Sequence, residues 1–138
     1  PVDGPLSHRL IDPEELEPPI GFTHAVVPVP GRTVYLAGQV GHDSAGNIVA
    51  PGLIGQFERA LANLVVALEA AGGRPEHVVA MQVFVTDLAE YRDSLVDLGR
   101  AWHARFGRRY PAMALLGVDA LFDPEAKVEL MAIAVIPD

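Results

Sequence analysis

The stretch KVELMAIAVI, from Lys127 to Ile136, constrains the fold more than any other part of the chain. Side chains of an extended strand alternate between two faces. Val128, Leu130, Ala132, Ala134 and Ile136 therefore point one way, and Glu129, Met131, Ile133 and Val135 the other. Both faces are apolar except for one carboxylate. Strands of this character are buried on both sides, and HVVAMQVFVT, residues 77–86, is of the same kind. The sheet must therefore be covered twice. Glu129 needs its own explanation, because a carboxylate beside buried positions must be hydrogen-bonded or have a raised pKa, and such groups often serve proton transfer.

The cover for one face follows from periodicity. Between Leu53 and Ala71, Phe57, Leu61, Leu64, Leu68 and Ala71 recur at steps of three and four, and Gly72-Gly73 supplies a stop, which predicts an amphipathic helix. Asp87 is placed to cap a second helix with an inner stripe of Leu88, Tyr91, Leu95, Leu98, Trp102 and Phe106, ended by Gly107. FTHAVVPVP and TVYLAGQV, separated by Gly31-Arg32, read as a β-hairpin, followed by a turn in HDSAGN. With AMALLGV and KVELMAIAVI the order is β-β-α-β-α-β-β, an α+β sheet with two helices on one face. No segment remains for the other face. Sheets of neighbouring subunits are therefore expected to pack together in an obligate oligomer, with Glu129 near a subunit boundary.

The first 20 residues include Pro1, Pro5, Pro13, Pro18 and Pro19 and several carboxylates, a composition that opposes regular structure. The chain divides into a Pro-rich arm, 1–20, and one domain, 21–138. An N-terminal proline can act as a base, but nothing ties Pro1 to the rest, and it is read as part of the arm. The formal charge of -8 argues against a nucleic-acid surface, with Arg105, Arg108 and Arg109 the one local exception, read as solvated or subunit-bridging. There is no cysteine for a disulfide, a thiolate nucleophile or a thiolate metal site. Five histidines without HxH or HExxH spacing predict no metal. No apolar run approaches the roughly 20 residues that span a bilayer, and the start lacks the order of a secretory signal. The expectation is a soluble, cytoplasmic protein without a membrane partner.

YLAGQVGHDSAGNIV, QFERALANLVVALEAAGG, HVVAMQVFVTDLAEY, RFGRRYPA and KVELMAIAV, in this order and spacing, resemble the RidA/YjgF family, also called the reactive intermediate deaminase or L-PSP family, over Phe22 to Val135. The resemblance implies a chorismate-mutase-like fold assembled as a homotrimer, with clefts between subunits that hydrolyse enamine or imine acids to keto acids and ammonia without a cofactor. It further implies that an arginine in a YPARS segment grips the substrate carboxylate, and that a carboxylate on the last strand positions water and shuttles protons.

Carried over position by position, Glu129 matches the catalytic carboxylate and Gly38 and Gln39 match the turn of the pocket. Phe22 falls where the deaminases usually have tyrosine. Met113 stands in the arginine's place, and Gly99 where many deaminases have asparagine. A thioether has no charge, so the fork for a 2-imino acid is absent. Arg105, Arg108 and Arg109 are near in sequence, but a side chain just before the strand need not reach the same cleft.

The other candidates divide between ligand contact and packing. His24 is balanced between a titrating group in the pocket and a packed strand residue, whereas His42 reads as a turn residue bonded to Asp43. Phe84, Met113 and Leu115 read as pocket wall, which suits a ligand with an apolar part. Two functions remain open: an enamine or imine deaminase using Glu129, and a non-catalytic trimeric metabolite-binding or regulatory protein.

Overall fold

The computed structural model describes residues 7–138, so Pro1 lies outside the described residues. Its strands are β1 Arg9–Ile11, β2 Ala25–Val27, β3 Gly31–Gln39, β4 Val78–Val85, β5 Ala112–Gly117 and β6 Val128–Pro137. Its helices are α1 Leu53–Ala70, α2 Leu88–Asp93 and α3 Leu95–Phe106. The main sheet has the order β3-β6-β4-β5. β6 is antiparallel to both its neighbours, whereas β4 and β5 are parallel. A parallel pair needs a crossover, and α2 with α3 provides it.

One face of the sheet carries the core. Leu36, Met81, Val83, Val85, Val128, Leu130, Ala132 and Ala134 pack against Phe57, Leu61, Leu64 and Leu68 of α1 and Leu98 and Trp102 of α3. Leu61, Leu64 and Leu68 are fully buried, each worth roughly 1.5–3 kcal/mol in apolar transfer. α1 stops where the sequence predicts: Gly72 takes a positive φ of 91°, and the Gly73 N–H bonds to the Leu68 carbonyl at 2.9 Å.

The opposite face is open. Tyr35, Met131 and Leu116 are 79%, 43% and 40% exposed, and Phe84, Glu129 and Ile133 share their side of the sheet. The two apolar sides of β6 thus correspond to one covered side and one that is uncovered at Met131, whereas Val135 near the strand's end is buried where His8 meets its carbonyl.

Two expectations are corrected. The predicted hairpin does not form: β2 pairs with β1 of the N-terminal arm, and β3 pairs with β6. Pro28 and Pro30, which lie between β2 and β3, have no N–H to give a ladder. Gly31 instead lies so close to the Ile136 backbone that no Cβ fits there. The second helix is divided at Ser94, whose hydroxyl donates to the Glu90 carbonyl at 2.8 Å. Asp87 caps α2 as predicted, accepting from the Glu90 N–H at 3.0 Å. Leu95, the first residue of α3, is 57% exposed and stays on the same side as Leu98 and Trp102.

Candidate functional site

Glu129 is the second residue of β6 and lies directly across from Phe84 of β4 on the open face. On its other side, the pairing of β3 with β6 slips by one residue between Leu36 and Gln39. Such bulges re-aim the side chains around them. Here the slip sets the Gly38 backbone against the Glu129 carboxylate, and Oε2 fills the space that a Cβ at position 38 needs. Gln39 pairs with the neighbouring Leu130. Lys127, the obvious companion for Glu129, is instead 3.0 Å from Glu90, so Glu129 remains half-buried and outside the ion pairs among the described residues.

Gln56 fixes the approach to this carboxylate. It is completely buried, its Nε2 donates to the Ala50 and Glu125 carbonyls, and its Oε1 accepts from the Lys127 N–H at 2.7 Å. Leaving those backbone groups unpaired would be costly, so the amide ties α1 to the segment two residues before Glu129. Sequence reasoning missed this role. The available signal was one amide on the buried face of α1, in line with Ala60 and Leu64.

A second group forms on the other side of the sheet. The segment containing Thr23 runs beside the start of β5: the Thr23 N–H donates to the Pro111 carbonyl at 3.0 Å, and its hydroxyl to the Tyr110 carbonyl at 2.7 Å. Phe22 is thereby set near Met113 and Leu115. These two side chains lie opposite Met81 and Val83 of the core face, so they point toward the helices. With Gly99, Tyr91 and Trp102 they line a cavity of about 370 Å³ that has no charged side chain in its wall.

The polar groups of this wall are neutral. Burial raises the Tyr91 hydroxyl above its ordinary pKa, helped by Tyr110. Burial also raises Tyr110, against the opposing charge of Arg108. The Tyr110 hydroxyl meets His103 Nε2 at 2.9 Å, while Trp102 stacks on Tyr110 and donates to the Arg109 carbonyl. No arginine of the 105–109 cluster lines the cavity. Tyr91 and Trp102, read from the sequence as inner stripe and core, are therefore also cavity wall.

His24 meets Phe22 edge-on, with ring centroids 5.0 Å apart. Its Nε2 bonds the Glu17 carbonyl at 2.9 Å and its backbone N–H donates to Asp12, so it ties the arm to the Phe22 segment. His42 Nδ1 lies 2.8 Å from the Asp43 carbonyl, as its reading as a turn residue expected. Among the described residues no group of three or more histidines and carboxylates could hold a metal ion.

The candidates thus form two clusters. Gly38, Phe84 and Glu129 are on the open face; Phe22, Met113 and Leu115 are on the helix side. The sheet stands between them, and a single chain does not bring them into one cleft.

Comparison with known proteins agrees on ancestry. Residues 13–136 match the family described as Endoribonuclease L-PSP. The chain is 31% identical to the protein DfrA of Myxococcus xanthus, covering 94% of this chain and 97% of that protein. It is 35% identical to the 2-iminobutanoate/2-iminopropanoate deaminase of Mus musculus, covering 75% and 74%. Among solved structures, a Rid-family protein of unknown function from Yersinia pestis superposes with a TM-score of 0.84 at 34% identity, covering 94% of this chain and 98% of that one.

Proposed function

Because the chain belongs to the Endoribonuclease L-PSP family, that of the RidA and YjgF proteins, we propose that it hydrolyses an enamine or imine to a carbonyl compound and ammonia. The reaction occurs in a cleft completed by a second copy of the chain. The observation that carries this reading is the Glu129 carboxylate held over Gly38 with Phe84 beside it. An enamine first tautomerises to its imine. Water then adds to the C=N carbon while Glu129 takes one of its protons and passes it to the nitrogen, giving the carbinolamine; Glu129 next carries the hydroxyl proton to the amino group as the C–N bond breaks, so that ammonia leaves and the carbonyl forms.

The relatives' name specifies acids, 2-iminobutanoate and 2-iminopropanoate. In this chain Met113, at the position where the family resemblance expects arginine, lies in a wall without charge. A carboxylate entering there finds no counter-ion and loses its hydration, which is strongly unfavourable. The substrate therefore presents an uncharged, apolar group to Phe22, Met113 and Leu115. Supporting the shared cleft is the uncovered apolar face that carries Glu129, a surface that a second copy of the chain would cover.

Ammonia release from freshly generated imines tests the reading, comparing 2-aminoacrylate with uncharged aryl imines. The wild type is expected to favour the aryl imines, and Glu129→Gln to lose about 10²- to 10⁴-fold in turnover, the usual share of a general acid-base group. Met113→Arg is expected to shift the preference toward the carboxylate. Met113 also favours the second reading, a metabolite-binding protein. Binding of these compounds without turnover, unchanged in Glu129→Gln, would replace the enzyme by that reading.

A further inference from the structure

At the far end of β6, about 27 Å from Glu129 at the usual rise of a strand, lies a second cavity of about 660 Å³. It is enclosed by the arm at His8, the turn from Arg74 to His77, the end of α3 with Arg108 and Arg109, and the last residues of β6. Its size suits a small molecule.

Three of the chain's 10 Lys and Arg residues, Arg74, Arg108 and Arg109, line this one cavity although the whole chain carries -8. Arg74 is 2.9 Å from Glu76 on the exposed rim, and Asp138 adds a carboxylate to the wall. Arg108 and Arg109 belong to no ion pair among the described residues. Arg109 donates from Nη2 to the His8 carbonyl at 2.9 Å. Its Nη1 is buried and has no hydrogen-bond partner among the described residues. A guanidinium stays charged under all ordinary conditions, and a buried charged donor left unpaired is costly. Such a donor marks where an acceptor belongs.

The two histidines of the wall have different parts. His8 uses both ring nitrogens: Nε2 with the Val135 carbonyl at 2.7 Å, and Nδ1 accepting from the Val29 N–H at 3.1 Å. It is a fixed part of the frame. His77 accepts the Arg74 N–H on Nδ1 at 3.0 Å, which leaves its proton on Nε2 as a further donor.

We infer that this cavity is a binding site for a small organic anion. Its phosphate or carboxylate group accepts from Arg109 Nη1, Arg108 and His77 Nε2, while an uncharged body lies on Leu10, Phe106 and Ile136. An oxyanion gives the orphan donor a charge-assisted hydrogen bond, and the three apolar side chains of the wall account for the space that a bare inorganic ion leaves unfilled.

The test is titration of the full chain with phenyl phosphate, inorganic phosphate and malonate at an ionic strength fixed with sodium chloride, followed by calorimetry and amide NMR. Saturable binding is expected, with phenyl phosphate tighter than inorganic phosphate and resonance shifts at residues 74–77 and 107–109. The malonate arm distinguishes a carboxylate preference from a phosphate one. Arg108→Ala and His77→Gln are each expected to weaken binding about tenfold, as for the loss of one charge-assisted hydrogen bond, while ammonia release at the Glu129 site stays as in wild type. Arg109→Met is expected to weaken it further; if that variant does not fold, the other two decide. Absence of saturable binding up to about 10 mM, or binding that neither Arg108→Ala nor His77→Gln weakens, overturns the assignment.

Discussion

A single methyl group at position 38 is the smallest change that tests the carboxylate. In Gly38→Ala the new Cβ occupies the place of Glu129 Oε2, so the carboxylate must turn away from its present position. Misplacement by about 1 Å commonly costs on the order of 10²-fold in rate, and a loss of that size in turnover is expected, with little change in melting temperature. The double variant Gly38→Ala/Glu129→Gln is expected to be no slower than Glu129→Gln alone, because both changes remove the same function. Steady-state kinetics of the four proteins checks this. Glu129 was legible in the sequence because it is the one charge in an apolar strand. Its dependence on Gly38 was not, since it arises from a one-residue slip between strands far apart in the chain, which no local pattern records.

At the scale of elements, local chemistry was the dependable guide. α1 with its glycine stop and the Asp87 cap were readable because each is decided within a few neighbouring residues. The pairing of β2 was not, because Pro28 and Pro30 remove the ladder that the alternating pattern suggested and a short strand of the arm takes its place. The turn at Pro75–His77 carries a pH dependence of its own. Burial lowers the His77 pKa below 6.5, with Arg74 and His8 acting in the same direction and Glu76 opposing. The folded state therefore binds a proton less readily than the unfolded chain does. The stabilisation from neutral His77 is fully present above the unfolded value of 6.5 and is lost as pH falls through the lower folded value. Melting temperatures measured between about pH 7.5 and 5 are expected to fall more steeply in wild type than in His77→Gln.

For the whole molecule, the two-sided apolar character of β6 was visible at once, whereas the direction of each half-site was not. Which face Met113 shares depends on the register between β4 and β5, and a shift of one residue would send it to the other side. The uncovered face also gives the test of assembly. Ile133→Glu puts a charge where the sheet of a neighbouring copy is proposed to pack, but on the side away from the core of its own chain. Sedimentation is expected to show a monomer with unchanged far-ultraviolet circular dichroism and no ammonia release. A wild-type monomer would contradict the shared cleft.

The placement of the two clusters on opposite sides of one sheet has a genetic consequence. If each reaction centre draws its carboxylate from one polypeptide and its apolar wall from the next, then the two surfaces are separately heritable. An allele without the carboxylate and an allele with a blocked wall are each inactive alone. A cell expressing both regains working centres, so two recessive defects in the same gene complement each other.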